Sequence, residues 1–317
     1  MVFEHRVINC MESCLYLITG PTAVGKTAMC LDIALKINAE VISCDSMQMY
    51  RGMDIGTAKA TAGELAKVPH HCLDMLDVKE PGNIQKYQEL ARQSVGKVLD
   101  QGKEVLVTGG SGFYLKSFLE PVVDDVDVSD ELRAEVESLL ENNGLDAVVE
   151  KLLELNPQGV GDLDMQNSRR VTRALERCIS SGMNVLELKE RMLKLPKPYP
   201  GFAKKICVLS RSDEQLRSRI AQRTEWMLKC GLVEEVEALL QQGLGDNPVA
   251  SNAIGYREVI AFIQGEIVTR EELFETIRQN TWKLVRKQKK WFRTQLPQAN
   301  VIDLDQCTNP DLKDLFD

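Results

Sequence analysis

Leu15-Tyr16-Leu17-Ile18-Thr19 is a continuous apolar and β-branched run that stops at Gly20-Pro21, the pattern of a buried strand running into a turn. From Thr27 the period changes. Met29, Ile33, Ala34 and Ile37 recur at helical spacing and predict a helix over Thr27–Ile37 with one apolar stripe. Glu40-Val41-Ile42-Ser43-Cys44 predicts a second strand that delivers Asp45 at its carboxyl end, where open α/β sheets place ligand-binding groups. After Pro81-Gly82 a helix is expected over Ile84–Gln101, then a strand over Glu104–Thr108 leading to Gly109-Gly110. Strands alternating with helices in this way predict a parallel sheet.

Past Pro121 the strand signals stop. Residues 129–142, 144–155, 167–181 and 184–193 read as helices separated by Gly144, Pro157 and Gly182, forming a helical insert. Leu195-Pro196-Lys197-Pro198-Tyr199-Pro200-Gly201 has the composition of a stiff linker, and Lys205-Ile206-Cys207-Val208-Leu209 resumes the buried-strand pattern. Ser212 with Gln215 three residues later is a capping-box signature for a helix from Asp213 toward Gln241, with Gly231 as the point of a kink. Further helices are expected over 256–264 and 270–294. The chain is thus expected to run as a first part of the core (1–120), a helical insertion domain (121–200) and a second part of the core (201–317) with a basic helix near its end.

Composition narrows the class. With 317 residues, 27% charged and 44% hydrophobic, the chain matches ordinary globular proteins and not disordered or coiled-coil ones. No run approaches the ~20 apolar residues of a bilayer span, and MVFEHRVINCMESC lacks a signal-peptide core, so a cytoplasmic protein without a membrane partner is expected. Nine cysteines without a C-x-x-C pair, and histidines only at His5, His70 and His71, point to reduced thiols and no structural zinc. The net charge of −8 alone disfavours nucleic acid. Its distribution changes that picture: Thr276–Arg293 carries seven cations and no acid, whereas residues 120–164 hold fourteen acids against Arg133 and Lys151. A polyanion would meet one face and avoid another.

Gly20-Pro21-Thr22-Ala23-Val24-Gly25-Lys26-Thr27 fits G-x-x-x-x-G-K-[ST] between a strand and a helix, the context this phosphate-binding motif requires. Its four fixed positions would arise by chance in roughly one per cent of chains of this length. The glycines let backbone N–H groups and the helix N-terminus converge on a phosphate, Lys26 adds charge, and the Thr27 hydroxyl can ligate Mg²⁺. The fold expected is therefore α/β, a P-loop NTPase-like parallel sheet flanked by helices, with the helical insertion domain. The loop recognises phosphate geometry and not the group attached to it, ATP being only the commonest choice. Val107-Thr108-Gly109-Gly110 ends its strand without an acid, which weighs against a motor ATPase. Asp45 opens the polar stretch to Lys59; beside a phosphate loop it can hold Mg²⁺ through water or accept a proton, the bland alternative being a cap on the following turn.

These residues resemble the tRNA dimethylallyltransferases, of a bacterial type. The resemblance rests on GPTAVGKT (20–27), DSMQMYRGMDIGTAK (45–59), HHCLDMLD (70–77), GGSGFYLK (109–116), RRVTRALE (169–176), RIAQR (219–223), GLVEEVEALL (231–240), AIGYRE (253–258) and KQKKWFR (287–293), which span nearly the whole chain. It implies attack by the N6 amine of the tRNA adenosine at position 37, next to the anticodon, on C1 of dimethylallyl diphosphate, with pyrophosphate expelled and Mg²⁺ assisting. Asp45 matches the family's base, Thr22 the hydroxyl near the reacting carbon and diphosphate, and Arg223 the arginine on the leaving group. The diphosphate would lie on Gly20, Pro21, Thr22, Ala23, Val24, Gly25, Lys26 and Thr27 with Arg223. The resemblance assigns tRNA contact to Asp45, Ser46, Met47, Gln48, Ser111, and Arg169, Arg170, Val171, Thr172 and Arg173; Lys287, Lys289 and Lys290 join them as cations of the basic helix. Arg169, Arg173 and Arg177 recur at i, i+4 and i+8 as one basic edge that can track RNA phosphates.

The sequence departs from the family at GGSGFYL, where GGTGLYL is usual, at Asp164-Met165-Gln166-Asn167-Ser168, where the family tends toward His-Pro-Asn-Asp-Pro, and at RKQKKWFR, where AKRQLTWFR is usual. The eukaryotic zinc finger has no counterpart. A monomer is expected. Three rivals share the loop: an adenylate isopentenyltransferase acting on free AMP, ADP or ATP, a small-molecule kinase, and an RNA-binding protein with a dead site. The arginine edge and basic helix favour tRNA over the first, and intact Lys26, Thr27 and Asp45 speak against the last.

Overall fold

The computed structural model describes residues 14–307 and 310–316. The chain order is β1 (Cys14–Thr19), α1 (Lys26–Ile37), β2 (Ala39–Ser43), α2 (Ala62–Lys67), β3 (His70–His71), α3 (Ile84–Asp100), β4 (Glu104–Gly109) and α4 (Gly112–Lys116). Three helices follow, α5 (Asp130–Glu154), α6 (Ser168–Ser181) and α7 (Val185–Lys194). Then come β5 (Ala203–Ser210), α8 (Asp213–Lys229), α9 (Leu232–Gln241), a 3-10 turn (Leu244–Asp246), α10 (Pro248–Ser251), α11 (Tyr256–Ile263), α12 (Arg270–Gln295), β6 (Asn300–Asp303) and α13 (Leu312–Phe316). Two compact units result: residues up to Leu119 with those from Tyr199 onward, and Glu120–Pro198.

The first unit holds a six-stranded sheet, all parallel, in the order β3-β2-β4-β1-β5-β6. Central position explains the sequence of β1. It pairs with β4 on one side and β5 on the other, and Leu15, Leu17 and Ile18 have no exposed surface, so an unbroken apolar run replaces alternation. Because the strands are parallel, the carboxyl ends of β1, β2 and β4 stand side by side; Gly20, Asp45 and Gly110 are neighbours at one edge for that reason.

The structure divides the helix expected from Asp213 to Gln241. Gly231 adopts φ 99°, and α8 and α9 are separate helices joined there. Half of the expected capping box at Ser212 is present: its hydroxyl accepts the Gln215 N–H (3.4 Å), while its own N–H is taken by Asp305 (2.8 Å). β3, with two residues, and β6, a four-residue edge strand, carry too little sequence for a periodic pattern, and α2 and α4 are equally short.

The second unit is helical throughout its described elements. Gly144 (φ 81°) interrupts α5, making two segments end to end. Val136, Val148, Leu152, Val171, Leu175 and Leu188 form its core.

Candidate active site

Segment 20–25 crosses from the end of β1 to α1. Gly25 caps α1 in the left-handed region (φ 113°) without a side-chain cap, so the first-turn N–H groups have no intrahelical acceptor. They face a cavity of about 500 Å³ lined by Thr22, Gly25, Lys26, Thr27, Arg219 and Arg223, among others. Outside the loop, Arg219 Nε donates to the Ala23 carbonyl (2.6 Å) and Arg211 Nε to the Val24 carbonyl (2.9 Å). Within the loop the Val24 N–H is taken by the Pro21 carbonyl (3.3 Å) and the Thr22 N–H by Gln288 (2.8 Å), which leaves the N–H groups that open α1 as the donors for an anion. Ala23 sits at φ 67°, a conformation costing about 1 kcal/mol that these arginines hold in place.

Lys26 Nζ donates to the carbonyls of Gly20 (2.8 Å) and Pro21 (3.0 Å). Withdrawal from water pulls its pKa down to about 8; Asp45 opposes the shift and Arg223 reinforces it. Lys26, Arg219 and Arg223 thus place three cations on the lining of one cavity at the N-terminus of α1, a setting that suits an anion. Burial likewise lowers the pKa of Arg223, against the pull of Asp45.

Asp45 leaves β2 beside the end of β4. Its Oδ1 accepts the Met47 N–H (2.9 Å), so it does cap the turn. It also lines the phosphate-loop cavity and a second cavity of about 510 Å³, and the two cavities share Thr22, Asp45, Thr57, Gly110 and Arg223. Thr22, Asp45 and Arg223, singled out from three separate segments, therefore meet where the cavities join. Arg219 and Arg223, one turn apart on α8, both line the first cavity, and Arg223 Nη2 donates to the Thr57 carbonyl (3.2 Å).

The second cavity is walled by Met47, Met227, Tyr256 and Trp291, with Ser46, Ser111 and Lys287 also on its lining. α12 supplies a residue that the sequence reading passed over. Gln288 Oε1 accepts the Thr22 N–H (2.8 Å) and its Nε2 donates to the Gly110 carbonyl (3.0 Å), tying the phosphate loop to the exit of β4. Its one signal is being the only uncharged polar residue in the run Arg286–Lys290.

Other expected contacts are redistributed. Gln48 lines the first cavity and not the second; its Oε1 accepts from the Ser43 hydroxyl (2.9 Å) and its Nε2 donates to Thr57 (3.4 Å). The Ser111 hydroxyl accepts the Ser46 N–H (3.2 Å), joining two segments of the wall. Lys287 faces the second cavity, but Lys289 pairs with Asp213 (2.6 Å), because positions two apart on a helix point to nearly opposite sides; Lys290 is exposed. On α6 the basic edge shortens. Arg169 and Arg170 are exposed with no ion pair among the described residues, whereas Arg173 bonds to buried Glu176 (2.6 Å) and Arg177 to Asp124. Val171 has no exposed surface and belongs to the core of the insert, whereas the Thr172 hydroxyl donates to the Ser168 carbonyl (3.0 Å) and keeps its lone pairs as acceptors.

Among the described residues no cluster of three His, Cys, Asp or Glu side chains forms a protein-only metal cage. Mg²⁺ needs no such cage, since it is commonly held by one or two protein oxygens plus water and substrate phosphates. The hard oxygens of Thr27 and Asp45 on the phosphate-loop cavity fit that donor set.

The sequence pattern of the IPP transferase family matches residues 48–295. The chain is 50% identical over 289 residues to the tRNA dimethylallyltransferase of Opitutus terrae, covering 91% of this chain and 92% of that one. It is 38% identical over 298 residues to the tRNA dimethylallyltransferase of Clostridioides difficile, covering 94% of each. Among solved structures, the tRNA isopentenylpyrophosphate transferase of Bacillus halodurans is similar with a TM-score of 0.67 and 33% identity, over 95% of this chain and 92% of that one. A eukaryotic dimethylallyltransferase acting on tRNA is similar with a TM-score of 0.80 and 25% identity, over 94% of this chain and 76% of that one. With its parallel sheet, its phosphate loop and these likenesses along nearly its whole length, the chain belongs to the IPP transferase family.

Proposed function

We propose that this chain transfers the dimethylallyl group of dimethylallyl diphosphate to N6 of the adenosine at position 37, next to the anticodon of tRNA, releasing pyrophosphate. One observation carries the reading: Thr22, Asp45 and Arg223 lie where a phosphate-binding cavity meets a second, more apolar one. The diphosphate rests on the loop amides and Lys26. The adenine, out of its stack, enters from the side of Ser46, Met47 and Trp291. An exocyclic amine delocalised into its ring is a weak nucleophile, so Asp45 accepts its N–H hydrogen bond and then its proton as the N6–C1 bond forms. The C1–O bond breaks, and the charge that grows on the leaving diphosphate is met by the loop amides, Lys26 and Arg223, with the Thr22 hydroxyl beside the breaking bond. Mg²⁺ bound through Thr27 would add positive charge to the diphosphate. Arg169 and Arg170 on the insert and Lys287 on α12 contact RNA phosphates, and the tRNA substrate puts the reaction in the cytoplasm.

Incubating the protein with dimethylallyl diphosphate and either unmodified tRNA or AMP, then weighing the products, tests the reading. Prenylated tRNA with unmodified AMP is expected; prenylated AMP alone would replace it with the adenylate reaction. Asp45→Ala is expected to lower turnover by about 10²-fold or more while barely changing donor affinity. Undiminished turnover would remove Asp45 as the base.

A further inference from the structure

Glu235 lies on α9, away from the phosphate loop, within a segment to which no role has been given. Its carboxylate accepts three consecutive backbone N–H groups, those of Asp54 (3.1 Å), Ile55 (2.7 Å) and Gly56 (3.2 Å), and the Tyr256 hydroxyl donates to it as well (2.6 Å). Tyr256 is fully buried, and Gly56 backs onto its ring so closely that a Cβ there would come within 2.4 Å of it. The backbone at 54–56 thus has one seat. The next residue, Thr57, turns its carbonyl toward the site, where it accepts from Arg223 Nη2 (3.2 Å) and more loosely from Gln48 Nε2 (3.4 Å).

We infer that Glu235 is a positioning residue: by clamping residues 54–56 it sets the Thr57 carbonyl, which in turn aims the Arg223 guanidinium at the diphosphate. The inference rests on the reading above that Arg223 serves the donor. An acceptor-only carboxylate suits the task, because its two oxygens accept all four donors, three N–H groups and a hydroxyl, whereas an amide would keep only one accepting oxygen.

The test is a double-mutant cycle read by calorimetric binding of dimethylallyl diphosphate to the full chain without tRNA, using Glu235→Ala, Arg223→Ala and the pair. Glu235→Ala should weaken donor binding about tenfold in the wild-type background and less than about twofold once Arg223 is gone. Glu235→Gln, which keeps one acceptor oxygen, should lose only about threefold and serves the same cycle if the alanine variant melts below the assay temperature. Equal losses in both backgrounds would overturn the inference, since a residue acting only on overall folding would not depend on Arg223. Failure of the functional reading would look different: wild-type protein would leave tRNA unprenylated whatever the cycle shows.

Discussion

Raising the pH from 7 to 9 is expected to weaken donor binding about tenfold and to make it proton-coupled, because of Lys26. Its ammonium is held against two carbonyls and withdrawn from water, with a pKa of about 8 in the free protein. It is then about 90% protonated at pH 7 and about 10% at pH 9. A bound diphosphate supplies the missing countercharge and raises the pKa again, so the complex stays protonated across this range. A pKa raised on binding gives affinity that is fully present below the free value and lost as pH climbs through it. The ratio of protonated fractions is about tenfold, or about 1.4 kcal/mol, with about 0.9 proton taken up per donor at pH 9 against about 0.1 at pH 7. Titration calorimetry with dimethylallyl diphosphate, whose phosphates ionise below this window, in two buffers of different ionisation heat measures both quantities. Lys26→Met should bind weakly at pH 7 and take up no proton. Buffer-independent heats at pH 9, with wild-type affinity as at pH 7, would refute the reasoning.

Two further outcomes follow from α12. Gln288→Leu strands the Thr22 N–H and the Gly110 carbonyl, each at a cost of about 1–3 kcal/mol, so steady-state kcat/KM should fall about tenfold or more; unchanged kinetics would remove Gln288 from the site. Lys287→Gln should weaken tRNA binding and flatten its salt dependence by about one counterion, whereas Lys289→Gln, whose charge Asp213 already offsets, should leave the slope nearly unchanged. Filter binding across a salt series separates the two, and equal slopes would show the basic helix acting as a uniform face.

Where a local signal was strong, the sequence alone reached the right element. The apolar run at Leu15–Thr19, the stripe from Met29 to Ile37 and the run at Glu104–Thr108 all became sheet or helix because their burial is written into consecutive residues. Arg219 and Arg223 fell on one helical face as their spacing required. Other readings needed partners that the local sequence does not name. Whether Arg173 and Arg177 are free depends on Glu176 and Asp124, and whether Lys289 is free depends on Asp213, 76 residues away.

The sequence by itself determined the strand–loop–helix of the G-x-x-x-x-G-K-[ST] motif, the acid at the end of the second strand and the segments that mark the family, because each is a short-range pattern of backbone geometry and side-chain chemistry. Only the tertiary structure decided that Gln48 faces the first cavity, that Gln288 ties the loop to β4 and that Glu235 seats the backbone before Thr57. Those contacts join residues as far as 266 positions apart, and a buried carbonyl or amide takes its partner from whichever element packing brings within about 3 Å.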